Sequence, residues 1–106
     1  MPNPFNMEYE LQNHTAVELY DKLQTVKLIE KMKLNFVKKN EYWIEYFRGA
    51  TFSQSPFRII VAFRDLEGGG VRVVISSMLQ QLFGNDRGQN EKNCIEIRNA
   101  IASVLK

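Results

Sequence analysis

The chain has 106 residues, 44% hydrophobic and 25% charged, with seven Phe, four Tyr and one Trp. That profile describes one globular domain, able to bury roughly two-thirds of its unfolded surface in a single core, and excludes a disordered tail. A formal net charge of +2 is too small to imply a nucleic-acid or membrane partner by itself, and the single cysteine, Cys94, excludes an internal disulfide and a Cys-rich zinc site.

Phe5 to Gln12, "FNMEYELQ", alternates strictly. Phe5, Met7, Tyr9 and Leu11 take one side and Asn6, Glu8, Glu10 and Gln12 the other, the pattern of a half-buried strand. Thr15 and Glu18 in "TAVE" then form a capping-box signature. Ala16, Leu19, Tyr20, Leu23, Val26 and Leu34 recur at helical spacing, which predicts a helix from Thr15 to about Leu34 with Asn35 closing it, although Lys27 and Glu30 interrupt the stripe. Two strands follow, Phe36 to Lys39 and Tyr42 to Arg48, turning at Asn40-Glu41, so that Val37 faces Ile44 and Lys38 faces Trp43. Gly49 to Pro56 reads as a loop.

Phe57 to Arg64 and Val71 to Met78 are β-branched and alternate in the same phase. Between them stands "DLEGGGVR". A phosphate loop would lead into a helix and carry a Lys and a Ser or Thr, whereas these glycines run straight into "VRVVIS". The stretch is therefore a hairpin tip, and pairing about Gly68 sets Phe63 beside Val73, Val61 beside Ile75, Ile59 beside Ser77 and Arg64 opposite Arg72. "LFGNDRGQN" is a connector, and Asn90 caps a last helix with the stripe Cys94, Ile97, Ile101, Val104 and Leu105. The order β-α-β-β-β-β-α defines an α+β domain over residues 1–106, a mainly antiparallel sheet of about five strands with two helices packed on one face; the last four strands default to a meander.

Few residues offer chemistry. His14 is the only histidine and reads as a turn residue; Cys94 lies on the buried stripe as a small hydrophobe; Ser53, Ser55, Ser76 and Ser77 have no Asp-His partnership. Glu8 with Glu10 and Glu41 with Glu45 read as wetted strand acids. No catalytic, metal or cofactor site is expected, and the protein is read as non-enzymatic.

One surface stands out. If Phe57, Ile59, Val61 and Phe63 face the helices, then Arg58, Ile60, Ala62 and Arg64 face away, beside Arg72, Val74 and Ser76 and near Trp43 and Phe47. An apolar centre rimmed by arginines is either an ordinary solubilised sheet surface or a partner-binding face, with Trp43, Phe47, Arg58, Ile60, Arg64, Arg72 and Val74 as the candidate contacts. The paired Arg64 and Arg72 cost stability unless something screens them. Apolar groups on both faces of the Tyr42 to Phe47 strand also make a homodimer an expectation.

The stretch "SPFRIIVAFRDLEGGGVRVVISS", preceded by "FVKKNEYWIEYF" and closed by a helix, resembles the small helix-grip domains of bacterial envelope lipoproteins of the BamC type. That resemblance implies a binding or scaffolding domain with a protein partner in the cell envelope. The sequence departs from it in having neither a lipid-attachment cysteine nor a signal segment at "MPNPFNMEYE", so an envelope address requires an export segment upstream and a cytoplasmic one does not. The element order is also similar to the kinase-associated C-terminal domain, which implies an anionic phospholipid surface bound through Arg58, Arg64, Arg72 and the Lys27 to Lys39 cluster. A nucleic-acid partner is not expected, because an RNA-recognition domain runs βαββαβ and its signature strand motif is missing.

Overall fold

The computed structural model describes residues 4–26, 32–49, 57–80 and 88–106. The elements are β1 (Phe5–Leu11), α1 (Ala16–Leu23), β2 (Met32–Lys38), β3 (Trp43–Arg48), β4 (Phe57–Asp65), β5 (Val71–Leu79) and α2 (Gln89–Val104), with one 3-10 turn at Lys39–Glu41. The class is α+β. Among the described residues the strands form one antiparallel sheet ordered β1-β5-β4-β3-β2. The last four strands make the expected meander, and β1 completes the sheet by pairing with β5, which places the two helices together over one face. The loop expected at Gly49 to Pro56 and the connector beyond Gln81 lie largely outside the described residues.

The central hairpin has the register its sequence requires: Phe63 pairs with Val73, Val61 with Ile75, Ile59 with Ser77 and Arg64 with Arg72. Its inward residues Phe57, Ile59, Val61, Phe63, Val71, Val73, Ile75 and Leu79 are buried. They join Ala16, Leu19, Tyr20 and Leu23 of α1 and Cys94, Ile97 and Ile101 of α2 in one core. Gly68, Gly69 and Gly70 all have positive φ, and the tip is closed by the Leu66 amide donating to the Gly70 carbonyl. Gly70 has a second reason to be glycine, because a Cβ there would stand 3.0 Å from the Leu11 carbonyl oxygen.

Three local expectations need correction. The first helix ends at Leu23 and does not reach Leu34. Just past it, the Gln24 side chain donates to the Tyr20 carbonyl at 2.8 Å and the Thr25 hydroxyl to the Lys22 carbonyl at 2.7 Å. These side chains compete for the carbonyls that a continuing helix would use, and Thr25 and Val26 are β-branched. Second, Met32, Lys33 and Leu34 belong to β2, and Asn35 is no helix terminus: the pairing of β2 with β3 shifts by one between Leu34 and Phe36, so Asn35 lies in a β-bulge. The chain gains more from a ladder with β3 than from a weak helical stripe. Val37 opposite Ile44 and Lys38 opposite Trp43 are as expected, but the turn is a 3-10 turn closed by Tyr42 in the left-handed region. Third, α2 is not capped by Asn90. Gly88, at φ 79°, precedes its first turn, and Asn90 lies inside the helix with its side chain turned into the core.

Candidate functional site

Two polar constellations emerge, one beneath the helices and one on the reverse of the sheet. The buried one links three elements. The Ser77 hydroxyl on β5 donates to Asn90 Oδ1 at 2.9 Å and accepts from Asn93 Nδ2 at 3.1 Å; Asn93 Oδ1 in turn accepts from Arg48 Nη1 at 3.2 Å and from Gln89 Nε2 at 2.7 Å. Arg48, at the end of β3, also pairs with Glu96 at 3.2 Å. Ser77, Asn90 and Asn93 are fully enclosed, and each of these bonds satisfies a group that would otherwise be costly to bury. This network fastens α2 to the sheet. Its signal in the sequence is an inward Ser77 facing a helix that carries Asn at positions 90 and 93, one turn apart on a single side.

Cys94 and His14, considered for catalysis, have other occupations, and Ser53 and Ser55 lie outside the described residues. Burial, with a smaller contribution from Glu91, pushes the Cys94 thiol up to about 11, so it is protonated at neutral pH and packs as a hydrophobe, its sulfur 3.7 Å from the Phe5 carbonyl oxygen. His14 sits 3.0 Å from Glu18, whose carboxyl is held below its usual range by His14 first and Lys22 second. Thr15 and Glu18 complete the expected capping box. Asp65, the acid before the three glycines, is explained by the helix: its Oδ1 accepts the Ala16 amide at 2.8 Å, so α1 begins under two carboxylates. Burial alone pushes the Tyr46 phenol up to about 12; Tyr9 reaches a similar value through burial, opposed by Arg98. Among the described residues no three His, Cys, Asp or Glu side chains come close enough to hold a metal ion, and no helix is long and apolar enough to cross a membrane.

The reverse face gathers the candidate contacts into rows across the strands. Val74, Ala62 and Trp43 are successive partners in one row, flanked by Glu8 on β1 and Lys38 on β2. Ser76, Ile60 and Glu45 form the next row, and Met78, Arg58 and Phe47 the one after. Val74 and Phe47 are each 36% exposed, while Ile60, Ala62 and Trp43 are half-buried. The helices pack on the opposite side, so these apolar groups open outward.

The arginines on this face are tied down differently from one another. Arg58 reaches diagonally to Glu45, a carboxylate only 6% exposed, and its guanidinium lies 5.9 Å from the Trp43 ring centre; Lys38 approaches the same ring at 6.0 Å. Arg72 pairs with Glu8 at 3.3 Å and Glu10 at 3.0 Å. The like-charge pairing of Arg64 with Arg72 is therefore relieved by the β1 acids, which are ion-pair partners and not merely wetted surface, because β1 lies beside β5. Glu41 pairs with Lys38 at 3.8 Å and Glu45 with Arg58, so these two acids have separate partners, whereas Glu8 and Glu10 share Arg72.

No protein-family model matches the chain, and no curated protein matches it. Solved structures do share its fold, an antiparallel sheet gripping helices on one face. One is the crystal structure of Ara h 8.0201, 13% identical, covering 97% of this chain and 97% of that one, with a TM-score of 0.60. Another is a protein of unknown function, SA2116 from Staphylococcus aureus, 12% identical over 96% of this chain and 93% of that one, with a TM-score of 0.51. At these identities the similarity is one of fold.

Proposed function

We propose that the chain is a non-enzymatic binding domain that docks a protein partner on the reverse face of its sheet. The observation that carries this reading is the run of outward apolar groups, Val74, Ile60, Trp43 and Phe47, on a face whose Arg58 and Arg72 are held by internal pairs. A dry centre with a paired polar rim is what protein interfaces use. The phospholipid reading draws less support, because Arg58 and Arg72 are held by Glu45, Glu8 and Glu10 rather than presented to an anionic surface. The envelope setting, which comes from the resemblance to lipoprotein domains, is a separate part of the proposal; the upstream reading frame tests it, through an export signal ending in a lipidated cysteine.

The direct test is parallel affinity capture with the wild-type domain and Trp43→Ala/Arg64→Glu. Proteins retained by the wild type and lost by a folded variant are the expected result. An identical set from both would remove the reverse face from function. Co-sedimentation with vesicles containing phosphatidylserine, at low and high salt, separates the lipid reading, which requires strong salt-sensitive binding.

A further inference from the structure

The reverse face is charge-polarised from edge to edge. Its β1 margin carries Glu8 and Glu10, its β2 margin carries Lys33 and Lys38, and between them Val74, Ala62, Trp43, Ile60, Met78 and Phe47 surround the Arg58–Glu45 pair. Glu8 and Lys38 lie at opposite ends of the same row, Glu8–Val74–Ala62–Trp43–Lys38. Glu8 and Lys38 are 56% and 53% exposed, so both can reach beyond the pairs they make within the chain.

We infer that the partner seated on this face is a second copy of the chain, packed sheet to sheet about a twofold axis running along β4. This rests on the reading of the reverse face as a protein-binding surface. A rotation about that axis exchanges the two margins while keeping each row at its own height. Glu8 then faces Lys38 of the second copy, Val74 faces Trp43, Met78 faces Phe47, and Ala62 and Ile60 meet their own equivalents on the axis. Every apolar side chain in these rows gains an apolar partner, and the Glu8–Lys38 contact forms twice in the dimer, once at each margin. The small Ala62 at the axis leaves room for the neighbouring Trp43 rings. A twofold axis across the strands instead would set the acidic margin over an acidic margin and the basic over a basic one. Arg58 also falls on the axis, where its charge is already taken up by Glu45, and Arg64 stands near the end of β4, where its side chain can turn to solvent.

The size is sufficient. A five-stranded face about 24 Å wide and about 23 Å tall covers at most roughly 550 Å² per copy, about 1,100 Å² for the pair, which clears the scale of a specific interface and sits at its weak end. Aligned sheets pack about 10 Å apart, a gap that the long Glu8 and Lys38 side chains can span. The contact has the same patch on both copies and closes on itself, so it stops at a dimer.

Sedimentation equilibrium or light scattering across a concentration series tests this. The wild type is expected to approach twice the chain mass by about 100 µM, as weak interfaces of this size do. Glu8→Lys is expected to weaken pairing by roughly tenfold or more, since it creates two like-charge contacts per dimer, and adding Lys38→Glu to it should restore pairing. Ala62→Arg should leave only monomer; if that variant fails to fold by circular dichroism, the exposed Glu8 and Lys38 pair decides alone. A wild type that stays monomeric, or a dimer indifferent to the Glu8 reversal, would overturn the inference. A monomer that still loses captured proteins through Trp43→Ala/Arg64→Glu would refute self-pairing and leave the broader binding reading intact.

Discussion

The two faces of β4 share one backbone and differ in what covers them. Toward the helices, Phe57, Ile59, Val61 and Phe63 are sealed under α1 and α2, and the polar atoms that enter this layer belong largely to a bonded chain from Arg48 through Asn93 and Ser77 to Asn90. On the reverse, Arg58, Ile60 and Ala62 stay half-open and Arg64 is exposed, and charge is balanced sideways across strands by Glu45, Glu8 and Glu10. The same alternation thus yields a layer that carries stability and a layer that carries little of it and is free to be spent on contacts. Burying apolar area is the dominant favourable term in folding, so the difference should be large and measurable.

Adjacent isoleucines make the cleanest contrast. Ile59→Ala should cost about 2–5 kcal/mol by urea denaturation, since it opens a hole in a close-packed layer, whereas Ile60→Ala should cost under about 1 kcal/mol. Comparable losses at both positions would mean that the reverse side is also a core. Next in size, Asn93→Ala should destabilise by about 1–3 kcal/mol, because Ser77 and Arg48 each lose a partner in a dry setting. The smallest effect concerns Tyr46, whose hydroxyl is buried with no hydrogen-bond partner among the described residues, beside a cavity of about 70 Å³ bordered by Gln24, Val26, Met32 and Leu34. Tyr46→Phe removes an unsatisfied group and should be neutral or stabilising by up to about 1 kcal/mol at pH 7.

That substitution also has an alkaline signature. The folded phenol holds its proton up to about 12 while the unfolded one releases it near 10, so the unfolded state sheds protons first. Stability linked to Tyr46 is fully present below pH 10 and is lost as pH rises toward 12. The urea midpoint of the wild type should fall across that window, and Tyr46→Phe should flatten the slope. Tyr9 contributes over the same window, and Cys94, raised to about 11, over its lower part.

Much of this architecture was legible in the residues. The register of the central hairpin follows from its alternation and its glycines, and the outward set of β4 and β5 follows with it, so most of the candidate face is written in the residues themselves. The failures share a cause. The end of α1, the bulge at Asn35 and the seat of Asn90 are decided by partners distant in sequence, and local periodicity contains no term for them. Thr25 and Val26 hinted at the break, yet only the ladder with β3 makes an extended Met32 to Lys38 preferable. The pairing of Arg72 with Glu8 and Glu10 was invisible for the same reason: it needs β1 and β5 to be neighbours, which strand order along the chain does not reveal.

The carboxylate of Asp65 on the Ala16 amide spans 49 positions of the chain. An eight-residue helix has almost no tendency to persist by itself, so α1 has little independent existence before that acid arrives at the mouth of the finished hairpin. Assembly order is thereby constrained: the hairpin templates the helix, and a chain emerging amino end first must leave its earliest helical stretch unsettled until more than half of the remainder has been made.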